Sequence, residues 1–178
     1  MPPELIITSY ALQPPHCIEY DPSAAEVAAR VRECITDSLS EVTVEHIGST
    51  AVPGCAGKGI VDLMVLYPEG QLEAVKETLA ALGFQPQTVG HMFPETRPMR
   101  VGAIEHGGRI FRLHVHVIAA DSPEVTTLRT FRERLLADPA LAHAYVDCKR
   151  SILARGITDW QLYTGLKSAF VQEVLSHL

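Results

Sequence analysis

His46-Ile47-Gly48-Ser49-Thr50-Ala51-Val52-Pro53-Gly54 runs on through Cys55-Ala56-Gly57-Lys58-Gly59 into Ile60-Val61-Asp62-Leu63-Met64-Val65-Leu66-Tyr67, and the fold turns on this stretch. The β-branched residues from Val42 to Ile47 predict a short strand that ends at Gly48-Ser49-Thr50. Residues 60–67 are apolar except for Asp62, the composition of a central strand covered on both faces. A Gly- and Pro-containing loop joins the two, and Pro68-Glu69-Gly70 closes the unit.

Upstream, Asp21-Pro22 reads as an N-cap and first helical residue, with Val27, Val31, Ile35 and Leu39 repeating every four residues behind it. Downstream, Leu72, Val75, Leu79 and Leu82 share a helical face over residues 71–82, and Gly83 stands where a helix stops. Residues 84–108 are punctuated by Pro and Gly and carry His91, Arg97 and Arg100; they predict short strands or a hairpin ending at His106-Gly107-Gly108. In residues 109–118 Phe111, Leu113, Val115 and Val117 point one way, and Arg112, His114 and His116 the other. Ser122-Pro123, Asp138-Pro139 and Thr158 or Asp159 each open a helix. Their expected buried stripes are Leu128, Phe131 and Leu135, then Leu141, Tyr145, Cys148 and Ile152, then Leu162, Leu166 and Phe170. The expectation is an α+β (α/β) domain spanning 1–178, with a small mixed sheet in a core of about 20–120, flanked by helices, and a helical segment over 122–178.

The 178 residues are 47% hydrophobic, which suffices for a core without disulfides or a structural metal and excludes disordered and fibrous classes. No apolar run reaches the roughly 20 residues that span a bilayer, and Met1-Pro2-Pro3-Glu4 lacks the basic-then-apolar pattern of a leader. No membrane role and a cytoplasmic location are therefore expected. A net charge of −6 without a Lys/Arg block gives no strong nucleic-acid signal, yet leaves room for a local basic pocket. Cys17, Cys34, Cys55 and Cys148 are widely spaced and read as apolar fillers or free thiols.

The first loop concentrates what a phosphate ligand needs: glycine N–H groups, the hydroxyls of Ser49 and Thr50, and the cation of Lys58. It lacks P-loop spacing, since Gly59 follows Lys58. Asp62, ionised inside an apolar strand, calls for a metal, a cation or hydrogen-bond donors. Ile60 and Met64 share its side of the strand, so no second carboxylate stands two residues away for a two-ion site. His114 and His116 project side by side, as metal ligands or phosphate donors, with Arg112 beside them and His46 able to join if the strands are neighbours. On the last helices, Lys149, Arg150, Tyr163 and Lys167 are most simply solvated, or else line a cleft for a polyanion.

The run from His46 to Gly54, with Lys58 and Ile60-Val61-Asp62-Leu63, resembles the signature of the GrpB family. Tyr20-Asp21-Pro22, Leu113-His114-Val115-His116, Phe131-Arg132-Glu133, Ala144-Tyr145, Lys149-Arg150, Tyr163 and Lys167-Ser168-Ala169-Phe170 extend the resemblance over about residues 20–174. That family is similar to the nucleotidyltransferase superfamily and also occurs fused to dephospho-CoA kinase. The resemblance implies that Gly48 and Ser49 contact phosphate, with Thr50, Lys58, Arg112, Lys149 and Lys167 in support. It also implies that Asp62 is the second Asp of a metal-binding Asp-x-Asp pair whose first member is replaced by Ile60. The implied cofactor is a divalent metal, Mg or Mn, or Zn, on Asp62, His114, His116 and His46; the implied partner is a nucleotide or other small phosphate ligand. Three readings follow: a divergent nucleotidyltransferase, a nucleotide- or CoA-related binding module without transfer chemistry, and a His/Asp transition-metal site with hydrolytic chemistry.

Overall fold

Helices and strands form where caps and alternation place them. In the computed structural model, which describes residues 5–88 and 90–177, α1 (Ser23–Ser38) starts where Asp21 Oδ1 accepts from Ser23 N at 3.0 Å. The opening residues Met1 to Glu4, read above for a leader, lie outside the described residues. Strand β1 (Thr43–Ile47) is followed by a single 3-10 turn (Ser49–Ala51), then by β2 (Val61–Tyr67) and α2 (Leu72–Ala81). The 84–108 region resolves into a two-residue strand β3 (Gln85–Pro86) and a long β4 (Met99–His106), hairpinned to β5 (Arg109–Ala119). The hairpin turn is Gly107-Gly108 with φ of 58° and 74°, the paired positive values a two-residue type I′ turn requires. Helices α3 (Pro123–Ala137), α4 (Pro139–Ala154) and α5 (Trp160–Ser176) begin at Ser122, Asp138 and Asp159, whose side chains accept from backbone N–H groups of the first turn.

The sheet order is β1-β2-β5-β4-β3. Among the described residues only β2 and β5 pair in parallel; the other pairs are antiparallel, so the sheet is mixed as expected. One face carries Leu63, Val65, Leu113, Val115 and Val117 and packs against α1 and α2. The opposite face carries Ile47, Met64, Leu66 and Ile118, which meet Val125 and Leu128 of α3. A further cluster, built on Val52, Cys55, Leu135, Tyr145 and Val146, clamps the loop after β1 to the three C-terminal helices.

The third helical stripe differs from the expectation. Leu162 is 49% exposed, whereas Tyr163 and Val174 are buried, so α5 is rotated by about one residue from the Leu-based reading. Tyr163 takes the core place, and its ring lies with that of Trp160 near the Lys58 ammonium, an interaction no hydrophobic count registers.

Residues 5–20 form a strap. Thr8 bridges Ala103 of β4, Ile18 exchanges backbone bonds with Gly57, and Trp160 Nε1 donates to Gln13 O at 2.7 Å. The strap and α5 together roof the part of the sheet that α3 leaves uncovered. No helix among the described residues is long and apolar enough to cross a membrane.

Candidate functional site

Parallel pairing of β2 with β5 sets Asp62 opposite His114 and Met64 opposite His116. Period-two alternation then turns Asp62, His114 and His116 out of the same face, beyond the edge of the α3 contact. Asp62 Oδ1 stands 3.4 Å from His114 Nδ1 and 3.6 Å from His116 Nε2. The three side chains could hold a metal ion, with ligand atoms all within 4.8 Å of one another.

These residues form the floor of a cleft of about 640 Å³, a size that takes a nucleotide-sized ligand. Lys58 and Lys167 both line it, and Tyr10, Phe93 and Trp160 supply apolar wall. Lys58 Nζ lies 4.3 Å from the Trp160 ring centre, and Lys167 Nζ lies 5.5 Å from that of Tyr163. Gly48 is at the rim with φ +74°; a Cβ there would come within 2.8 Å of Asp62 Oδ2. Both the backbone conformation and the close approach of the carboxylate exclude a side chain at this position.

Charge states follow from these surroundings. Burial alone pushes the Asp62 carboxyl up, but the facing imidazoles of His114 and His116 prevail and hold it well below the usual carboxylate range. Burial pushes His114 down against the pull of Asp62. An ionised carboxylate beside a neutral imidazole is the state a metal ion needs in its ligands. Burial, with Lys167 next, lowers Lys58 to about 7, and burial lowers Lys167 too. The cleft thus sets two lysines against one carboxylate in a chain whose overall charge is −6.

A fit to metal can be judged on the donor set. One carboxylate oxygen and two imidazole nitrogens suit a single transition ion such as Zn²⁺ or Mn²⁺ better than Mg²⁺, which prefers an all-oxygen shell. A two-ion arrangement does not fit, because Ile60 is apolar and buried where the first Asp of an Asp-x-Asp pair would stand.

The structure does not bring every expected residue into this cleft. His46 pairs with Leu63 across β1 and β2, so although the strands are neighbours, alternation turns it to the face opposite Asp62. Its Nε2 bonds Thr50 Oγ1 at 2.8 Å, and that hydroxyl in turn donates to Ile60 O at 3.2 Å, so Thr50 ties the turn to β2. Arg112 lies beneath the loop, with Nη2 donating to Lys58 O at 2.9 Å and Nη1 buried without a partner. Lys149 is not solvated: it is 2% exposed, donates to Ser49 Oγ at 2.7 Å and to Ala56 O, and lies under the loop it braces. Burial pushes its ammonium pKa down. Gly48, Lys58 and Lys167 remain as the phosphate-side candidates lining the cleft; Ser49 is not among its lining residues, its hydroxyl accepting from the buried Lys149 beneath the loop.

Two residues gain a place that sequence alone did not give them. Tyr10, on the strap, bonds His114 Nε2 through its hydroxyl at 3.0 Å. Arg97, just before β4, bonds His116 Nδ1 at 2.9 Å. Neither has a local signature, since each reaches its histidine only through tertiary pairing.

Comparison with known proteins agrees with this architecture. A UPF0157 protein of Streptomyces coelicolor is 33% identical over 165 residues, covering 89% of this chain and 81% of that protein. A second, from Pseudomonas aeruginosa, is 31% identical, covering 87% of this chain and 64% of that longer protein. Among solved structures, the conserved protein GrpB from Enterococcus faecalis superimposes with a TM-score of 0.69 at 23% identity, covering 91% of this chain and 98% of that one. The GLD-2/RNP-8 complex matches with a TM-score of 0.55 at 11% identity, over 84% of this chain and 58% of the other, a likeness of fold. The family described as GrpB protein matches residues 14–177, and the chain belongs to that family.

Proposed function

We propose that the cleft binds a nucleotide or a similarly sized phosphorylated small molecule together with one divalent ion, as a divergent member of the nucleotidyltransferase-like proteins. The observation that carries this reading is the charge arrangement: Lys58 and Lys167 converge on a single carboxylate, Asp62, inside a cleft of about 640 Å³ with aromatic walls. Cations favour the phosphates, and the aromatic surface favours a planar base. Asp62 and His114 would hold the ion, with His116 beside them, and the ion would supply Lewis-acid charge at a phosphoryl group. Gly48 lets the backbone approach, Ser49 is held in place by Lys149, and Lys58 and Lys167 neutralise charge as it builds on the phosphates.

A second reading, a binding module without transfer chemistry, is favoured by Ile60, which removes the carboxylate a second ion would need. Calorimetry with ATP, GTP, CTP, UTP and dephospho-CoA tests the common part, using Mn²⁺, Zn²⁺, Mg²⁺ or chelator on wild type, Asp62→Ala and Lys58→Met. Metal-dependent binding lost in folded Asp62→Ala and weakened in Lys58→Met is expected; silence from every ligand in wild type overturns the reading. Pyrophosphate release with an acceptor present then separates transferase from binding module.

A further inference from the structure

The site's second histidine is governed from outside the cleft. His116 Nδ1 lies 2.9 Å from Arg97 Nη1, and a guanidinium has N–H donors and no acceptor. The contact is therefore a hydrogen bond only when Nδ1 offers its lone pair. In a neutral imidazole the proton then sits on Nε2, the atom 3.6 Å from Asp62 Oδ1. Doubly protonated His116 and the opposite tautomer both set donor against donor at Arg97.

Arg97 is firmly placed for this. Its Nε donates to Glu124 Oε2 at 2.9 Å, Nη2 donates to Glu124 Oε1, and its guanidinium carbon lies 4.4 Å from the centre of the Phe93 ring. The next residue is tied down as well, because Val117 N of β5 donates to Pro98 O at 2.9 Å. His114 is under no such constraint. Its Nε2 faces the Tyr10 hydroxyl at 3.0 Å, a group that can accept as well as donate, so Nδ1 can give up its proton to Nε2 and offer a lone pair to an ion held by Asp62.

We propose that Arg97 is a positioning residue that keeps His116 a hydrogen-bond donor into the cleft and withholds it as a metal ligand, leaving the ion to Asp62 and His114. A metal-binding imidazole gives its other N–H to an acceptor, and this second partner sets metal affinity by roughly 10- to 100-fold. Arg97 inverts that arrangement at His116. The consequence is chemical: Nε2 with its proton lies 3.6 Å from Asp62 Oδ1 on the cleft floor, where it is a donor for the carboxylate or for a bound anion, and the ion keeps more of its coordination positions open for ligand. The inference rests on the metal reading above.

Glutamine at position 97 would supply a carbonyl acceptor for Nδ1–H, whereas lysine remains a donor only. The test is Zn²⁺ calorimetry on wild type, Arg97→Gln, Arg97→Lys and Arg97→Gln/His116→Ala, alongside long-range ¹H–¹⁵N NMR of the imidazoles in metal-free wild type. Arg97→Gln should bind Zn²⁺ about tenfold or more tighter than wild type, the scale set by such partners. Arg97→Lys should stay near wild type, and the double variant should lose the gain. The NMR spectrum should show His116 protonated on Nε2 alone. A proton on Nδ1 in wild type, an Arg97→Gln affinity no tighter than wild type, or a gain that survives His116→Ala overturns the proposal. Absence of Zn²⁺ binding in wild type counts against the metal reading, while the NMR result still decides the role of Arg97. If Arg97→Gln does not fold, the wild-type spectrum and Arg97→Lys carry the decision.

Discussion

Replacing His46 by glutamine should remove a defined part of the protein's acid sensitivity. His46 is lowered from 6.5 to about 4, first by burial and then by Arg132 nearby, against the opposing pull of Asp62. In the unfolded chain the same imidazole takes a proton near pH 6.5. Above that pH both states are neutral and the residue makes no pH-dependent contribution. Between pH 6.5 and about 4 the unfolded chain binds a proton the folded one refuses, so stability falls as pH falls. The gap of about two and a half pH units, at about 1.36 kcal/mol each, sets the loss at about 3 kcal/mol, most of it developed by pH 4.5. Glutamine does not titrate and can still donate to Thr50 Oγ1. Urea unfolding of both proteins at intervals from pH 7.5 to 4.5 isolates this contribution, because other titrating groups cancel in the difference. The wild type should lose about 2 to 3 kcal/mol more than His46→Gln across the window. Parallel curves, differing by less than about 0.5 kcal/mol in their change with pH, would refute the account of a buried neutral imidazole.

Gly48→Ala should destabilise by about 1 to 3 kcal/mol, because a Cβ at φ +74° also meets Asp62 Oδ2; thermal melts should show this together with weakened Mn²⁺ binding. Lys58, lowered to about 7, carries its charge only below that pH, so pyrophosphate affinity should rise about tenfold or more from pH 8.5 to 6.5. Lys58→Met, measured by the same calorimetry, should flatten that rise. Leu63→Ala, in the middle of β2 with no exposed surface, should lose about 2 to 5 kcal/mol in chemical denaturation.

Much of the scaffold was legible because it is locally encoded. The Asp-Pro and Ser-Pro caps, the alternation of residues 111–117 and the apolar run around Asp62 each announce an element within a few residues. The convergence of Asp62, His114 and His116 was legible too, since it needs only that their strands be neighbours in a suitable register. His46 shows where that logic stops. Alternation has a period of two, so adjacency without register leaves the face undetermined, and the antiparallel pairing of β1 with β2 turns His46 away. Lys149 shows another limit: a lysine on a helix reads as solvated until a loop from elsewhere in the chain brings Ser49 and the Ala56 carbonyl over it. Tyr10 and Arg97 act through contacts 104 and 19 residues away in sequence, and no pattern near them records the partner.

The strap also has a bearing on how the molecule assembles and opens. Strands β4 and β5 meet through a two-residue turn and can zip early, whereas the Trp160 to Gln13 bond joins residues 147 apart and Tyr10 reaches His114 across 104. Closing such long loops is entropically slow, so the roof of the cleft should be the last part to form. By the same reasoning it should be the first to detach. Residues 5–20 are held by the isolated bridges from Thr8 to Ala103 of β4 and from Ile18 to Gly57 of the loop before β2, with little regular structure of their own, so they form a local opening unit of low stability. Amide exchange at Thr8, Ile18 and Gly57 should outpace that of Val115 and Val117, and the cleft floor would then be exposed to solvent without the sheet coming apart.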